Sequence, residues 1–80
     1  MTGNTTLDFL HPGEFGIIKK LRSTGSMRRR LMDIGLIKDT VVECVGKSPL
    51  GDPTAFMIRG AVIAIRQEDC RDICIEKIEE

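Results

Sequence analysis

The segment TVVECVGKSPLGDPTAFMIRGAVIAIR, residues 40–66, carries the clearest strand signals of this sequence. It holds three short runs rich in β-branched and other apolar residues, the composition typical of strands: Thr40–Val45, Ala55–Arg59 and Ala61–Arg66. A loop of turn residues at Ser48–Pro53 separates the first run from the second, and a single glycine separates the second from the third. The third run is the most apolar, and we expect it to be buried on both faces or close to it.

Two further strands are predicted outside this segment. Phe15–Leu21 carries apolar residues at alternate positions for most of its length, and Ile73–Ile78 is a short run rich in isoleucine. Gln67–Asp72 is polar and predicts a turn or one turn of helix. Five short strands in 80 residues predict a mainly β fold, a small antiparallel barrel, because closure removes exposed strand edges.

One short helix is predicted after the first strand, in SMRRRLMDIGL, residues 26–36. At 100° per residue, Met27, Leu31 and Ile34 fall on one face and form a core stripe. We expect Ser26 to cap the first turn and Gly35 to end the helix in the left-handed conformation. The helix therefore covers the core and displays three consecutive arginines outward.

Composition limits the classes of function. The chain has a net charge of zero and three aromatic residues, which disfavours nucleic-acid binding. No apolar run reaches the ~18 residues of a membrane span, and the first ten residues do not resemble a signal peptide. We expect a cytoplasmic protein without direct membrane insertion, with an irregular arm at residues 1–11 and one barrel domain at residues 12–80.

Four motifs in this order resemble the FeoA family, small cytosolic proteins that accompany the ferrous-iron transporter FeoB in bacteria: GIIKKL at 16–21, MRRRLMDIGL at 27–36, PLGDP at 49–53, and RG at 59–60 followed by IAIR at 63–66. The resemblance runs from about Pro12 to Ile78 and implies an SH3-like β-barrel. It also implies a supporting or regulatory role in Fe²⁺ uptake through contact with the transporter. The chain has Lys38-Asp39 where the family often has Pro-Gly, and Asp39 tolerates the left-handed region that such a turn needs.

The partner-binding candidates are Arg28, Arg29 and Arg30 on the helix, with Leu50 and Asp52 in the loop. Arginine suits docking to an acidic surface or a phosphate because its planar fork makes bidentate contacts. The alternative for the arginines is a solvated helix face on which Arg29 pairs loosely with Asp33. The alternative for the loop is a connector without a binding role. A homo-oligomer is expected if a strand edge is left open.

Enzymatic activity is not expected, because the sequence offers no nucleophile–base pair, no phosphate loop and one histidine. No cofactor and no built-in metal are expected either. The weak metal-ligand candidates are Cys70, Cys74, Cys44 and His11, whose spacing matches no metal motif. These residues leave open an alternative function, a metal-sensing regulatory module that binds a transition metal directly. The FeoA resemblance implies a fold that also occurs as the C-terminal domain of some iron-dependent repressors, to which such a module would be related.

Overall fold

The computed structural model describes residues 3–78, which form six strands, two α-helices and one 3₁₀ helix. In chain order these are β1 (Gly3–Thr6), the 3₁₀ helix (Leu7–Phe9), β2 (Phe15–Leu21), α1 (Gly25–Asp33), β3 (Val41–Lys47), β4 (Thr54–Ile58), β5 (Ala61–Ile65), α2 (Gln67–Cys70) and β6 (Ile73–Ile78). The mainly β prediction is confirmed, and every predicted strand is present within two residues of its expected bounds.

All six strands belong to one antiparallel sheet in the order β1-β6-β2-β3-β4-β5. The strands β1 and β5 are therefore the two edges. The 3₁₀ helix that follows β1 packs against α2, which follows β5, so the two ends of the sheet approach each other. Short helical segments, instead of a further strand ladder, bridge the gap between the edges.

The N-terminal segment is more regular than predicted. An irregular arm is predicted at residues 1–11, of which residues 1 and 2 lie outside the described part of the chain. Gly3–Thr6 instead pairs with β6, with Thr5 opposite Ile75. Leu7 and Leu10 are buried in the common core. The sequence GNTT has no alternating apolar pattern and therefore does not predict a strand. β1 forms because it pairs with β6 and because the two leucines that follow it are buried.

The strands and helices contribute side chains to one apolar core. Phe56 of β4, Ile18 of β2 and Ile75 of β6 are at most 1% exposed. Burial of each such side chain stabilises the fold by about 1.5–3 kcal/mol relative to exposure. The core therefore joins β2, β4 and β6 and gives the short helices a fixed surface on which to pack.

The prediction that the third apolar run, Ala61–Arg66, is buried on both faces or close to it is wrong. Ala61, Val62 and Ala64 of β5 are exposed, and Val62 retains 58% of its accessible surface. Only Ile65 is fully buried in this strand, since β5 pairs with β4 alone and lies at the edge of the sheet. Whether a second copy pairs there stays a prediction.

Helix α1 has the expected core stripe, with Leu31 buried and Met27 and Ile34 half-buried. Its N-cap is Thr24, which makes no side-chain capping bond, so the expected cap at Ser26 is wrong. The extended backbone of Thr24 places the helix start two residues earlier than predicted, with Ser26 inside the first turn.

Gly35 ends the helix as predicted, with a φ of +106°. The backbone N–H of Leu36 then donates to the carbonyl oxygen of Leu31 at 3.0 Å, which closes the last turn. Asp39 has a φ of +71°, so aspartate does adopt the left-handed conformation that the turn before β3 requires. These two residues turn the chain so that Leu36 is fully buried beneath the helix.

Candidate partner-binding surface

The three arginines are all exposed on α1, but they differ in their contacts. Arg28 is tethered, since its Nη1 donates a hydrogen bond to the carbonyl oxygen of Leu21 at 3.0 Å. Within residues 3–78, Arg29 and Arg30 make no hydrogen bond or ion pair through their side chains, and the expected Arg29–Asp33 pair is not formed. Two guanidinium groups are therefore available to an outside acceptor.

The loop between β3 and β4 presents an apolar side chain at its tip. Leu50 is 95% exposed, the largest exposure among the big apolar side chains of the described region. The loop beneath it is closed by its own hydrogen bonds: the backbone N–H of Ser48 donates to the Pro53 carbonyl at 3.1 Å, and that of Gly51 donates to the Ser48 carbonyl at 2.8 Å. Leu50 therefore lies at the tip of the loop and not in the core, as a docking role requires, and that role stays a prediction.

Asp52 has a structural contact that the sequence did not predict. Its Oδ1 accepts a hydrogen bond from the backbone N–H of Gln67 at 2.9 Å. Gln67 is the first residue of α2, so the carboxylate satisfies one of the free N–H groups at that helix start. Asp52 thus joins the loop to α2, and its proposed contact with a partner stays a prediction.

The structure places both candidate regions next to α2 without bringing them into contact. Arg30 lines a depression together with Glu68 and Asp69 of α2, while Asp52 bonds to Gln67 at the start of the same helix. No hydrogen bond or ion pair in the described region joins the arginines of α1 to the loop. Both regions therefore lie next to α2 and form separate parts of the candidate surface.

A groove between β2 and α1 was missed by the sequence analysis. It has a volume of about 270 Å³, and its lining includes Lys20, Met32 and Lys38. Lys20 lies in a predicted strand and Lys38 in a predicted turn, and no binding role was predicted for either. Met32 is not one of the three residues of the predicted core stripe of α1. The only signal was the repeated Lys in GIIKKL, whose second lysine lies at the exposed end of a strand.

The metal-ligand candidates lie on different elements of the fold. Cys44 lies on β3, Cys70 ends α2 and Cys74 lies on β6, while His11 is exposed and uses its backbone N–H to donate to Glu14 Oε1 at 2.7 Å. Burial raises the pKa of the Cys70 thiol to about 12 and also raises the pKa of Cys44. Residues 3–78 contain no group of three or more His, Cys, Asp or Glu side chains placed to hold a metal ion.

No helix in the described part of the chain is long and apolar enough to cross a membrane.

Comparison with known proteins identifies the family. The model of the FeoA domain matches residues 5–77, nearly the whole chain. The chain belongs to the FeoA family. A curated relative, the Fe(2+) transport protein A/Fe(2+) transporter FeoB fusion protein of Porphyromonas gingivalis, is 29% identical over 72 residues. That match covers 90% of this FeoA chain and 8% of the fusion protein, so the chain spans a small fraction of the relative's length.

Solved structures of FeoA proteins share the fold. The NMR structure of an FeoA-like protein from Clostridium acetobutylicum is 29% identical, with a TM-score of 0.88 over 100% of this chain and 93% of that one. A zinc-complexed FeoA from Stenotrophomonas maltophilia, described as a prokaryotic SH3 domain protein, is 21% identical, with a TM-score of 0.78 over 89% and 88% of the two chains. The predicted SH3-like fold is thereby confirmed.

The fold also occurs in metal-dependent regulators. A manganese-dependent transcriptional repressor is 14% identical to this chain, with a TM-score of 0.84 over 94% of this chain and 41% of the repressor. At this identity the likeness concerns the fold alone.

Proposed function

We propose that this FeoA-family chain is an accessory protein of bacterial ferrous-iron uptake that acts by binding the cytosolic side of an FeoB-type transporter. The observation that supports this most strongly is the relative in which an FeoA part and an FeoB transporter share one polypeptide. Fusion keeps two proteins at high effective concentration, which is of use when the two must touch.

The contact surface in this proposal consists of Arg28, Arg29 and Arg30 with the exposed Leu50. Arg29 and Arg30 are free to form bidentate hydrogen bonds with carboxylates, which are stronger than neutral hydrogen bonds. Leu50 supplies exposed apolar area on a separate part of the surface. Arginine anchors and a buried apolar contact are the features that commonly dominate binding energy at protein interfaces.

The chain in this proposal binds and does not catalyse a reaction. Its two thiols with raised pKa are buried, and thiols in that state are poor nucleophiles and poor metal ligands. The transporter would supply the metal path and the nucleotide site, and the FeoA chain would modulate or assemble it.

A binding assay with the same organism's ferrous-iron transporter in nanodiscs tests the proposal, with and without guanine nucleotide. We expect saturable binding that Arg29→Gln weakens about tenfold, the loss of roughly one charge-assisted hydrogen bond. Asn4→Asp is the control, because it also lowers the net charge by one and lies on the edge strand β1, outside α1 and the loop at residues 48–53. Absence of binding in every nucleotide state would reject the accessory role.

The second candidate function is a metal-sensing regulatory module, considered because a manganese-dependent transcriptional repressor contains a part with the same fold. It predicts stoichiometric binding of Fe²⁺, Co²⁺ or Zn²⁺ by the isolated chain. Binding that disappears when Cys70 and Cys74 are both changed to Ser would support the sensor. The position of Cys70 in the core argues for the accessory role instead.

A further inference from the structure

We propose that the groove between β2 and α1, termed here the β2–α1 groove, binds an apolar side chain carried by an acidic segment of the partner protein. This inference rests on the proposed function, since it assigns a second contact to the same protein–protein interaction. It is carried by the shape of the groove, by its apolar floor and by the charge of its rim.

The floor of the groove is apolar and partly exposed. Leu36 is fully buried at its base, while Met32 and Ile37 keep 42% and 37% of their accessible surface. The volume of about 270 Å³ is enough for one or two aliphatic side chains and too small for a large cofactor. Two large apolar side chains that stay exposed beside a concavity favour an apolar occupant, because covering them removes apolar surface from water.

The rim of the groove is positively charged. Lys20 and Lys38 are exposed, and neither makes an ion pair within residues 3–78. The neighbouring Lys19 is different, because its Nζ lies 3.7 Å from Asp39 Oδ1 and 3.5 Å from Glu76 Oε1. No acidic residue is among the described residues that line the groove. The local charge is thus positive although the whole chain is neutral.

The groove is formed before any partner binds. On one wall the Arg28 guanidinium donates to the Leu21 carbonyl at 3.0 Å and fixes α1 to the end of β2. On the other wall the backbone N–H of Asp39 donates to the carbonyl of Ile18 at 2.7 Å and holds the turn that carries Lys38. A preformed groove loses little conformational entropy on binding, which favours affinity.

An acidic segment with one apolar anchor fits these features better than a membrane or a nucleic acid. A concave apolar site accepts a single side chain, whereas a lipid surface or a phosphate backbone presents charge over a wide, flat or convex area. Carboxylates on either side of the anchor would reach Lys20 and Lys38, and this charge complementarity would also speed the encounter of the two proteins.

Titration of the ¹⁵N-labelled chain with three synthetic peptides tests the groove directly. The first peptide has one Leu flanked by Glu residues, the second has the same Leu flanked by Lys, and the third has Ala in place of Leu between Glu residues. We expect saturable shifts of the Met32, Ile37 and Lys38 amides with the first peptide only. No shift with the first peptide, equal shifts with all three, or tighter binding to anionic vesicles than to the peptide would overturn the inference.

Variants of the rim complete the test. Changing both Lys20 and Lys38 to Gln should weaken binding of the first peptide about tenfold, since each lost contact between exposed opposite charges is worth about threefold and the two losses multiply. Lys47→Gln, at the opposite end of β3, should leave peptide binding unchanged. If the transporter binds wild type and the Lys20→Gln/Lys38→Gln chain equally, the groove is excluded while the accessory role stands. If the transporter does not bind but the peptide does, the accessory role fails while the groove stands.

Discussion

Replacement of Gly35 by alanine should destabilise the domain more than the same replacement at Gly25 of α1 or at Gly46 of β3. The φ of +106° lies outside the region that L-residues adopt readily, and even the ordinary left-handed conformation costs about 1–2 kcal/mol. The new Cβ would also lie 3.2 Å from Cγ2 of Ile58 and 3.1 Å from Cδ of Arg59. The arginine can move, but Ile58 is 1% exposed and held in the core.

The two effects together should lower the free energy of unfolding by about 2–3 kcal/mol, since overpacking of a core typically costs ~1 kcal/mol or more. For a domain of this size that corresponds to a fall in melting temperature of about 10–20 °C. Urea unfolding followed by circular dichroism measures the first quantity, and a thermal scan measures the second. Because Gly35 directs Leu36 and Ile37 towards the β2–α1 groove, the amide signals of the groove should shift as well.

Gly46→Ala provides the matched control for this prediction. Gly46 has an ordinary φ and no heavy atom within 4 Å of an added Cβ, so the same substitution should be neutral or stabilise the fold by roughly 0.5 kcal/mol. Equal stability of Gly35→Ala and Gly46→Ala would refute the reasoning that the helix ends because only glycine fits at that position.

Three further outcomes are expected. Asp52→Ala should lower the free energy of unfolding by about 1 kcal/mol. Asp52→Asn should lower it less, because the amide oxygen can still accept from the backbone N–H of Gln67 at the start of α2, and urea unfolding of the two variants measures the difference. Iodoacetamide should label Cys74, which is half-buried, well before Cys44 or Cys70, as peptide mass spectrometry would show; simultaneous labelling would contradict the buried positions. The pKa of the Cys70 thiol is raised from 9.0 to about 12 in the folded chain, so the unfolded chain loses the thiol proton at lower pH. The free energy of unfolding should therefore fall between about pH 9 and pH 12, and Cys70→Ala should reduce this dependence on pH in urea unfolding.

The sequence was sufficient to predict most of the secondary structure because the strongest local signals agree with the tertiary packing. Alternating or continuous apolar runs are confirmed as β2, β3, β4 and β6, and Gly35 is confirmed as the end of α1. Position in the sheet was less predictable. The apolar run of β5 does not reveal that this strand is an edge, since two of its exposed residues are alanines that are small enough to be tolerated on a solvated face.

The candidate surface was predictable in its residues but not in its contacts. Arg29, Arg30 and Leu50 are exposed as a docking role requires, whereas the hydrogen bond between Asp52 and Gln67 joins residues 15 apart in sequence. The β2–α1 groove likewise depends on how the turn after Gly35 packs against β2. No local pattern reports such a long-range arrangement, so only the three-dimensional structure shows it.

Hydrogen exchange of the wild-type chain, measured with and without the same organism's ferrous-iron transporter in nanodiscs, tests whether α1 and the loop at residues 48–53 bind the transporter. We expect slower exchange in α1 and in this loop when the transporter is present, with β1 unchanged. Exchange that is identical in the presence and absence of the transporter, or protection confined to β1 and β6, would contradict it.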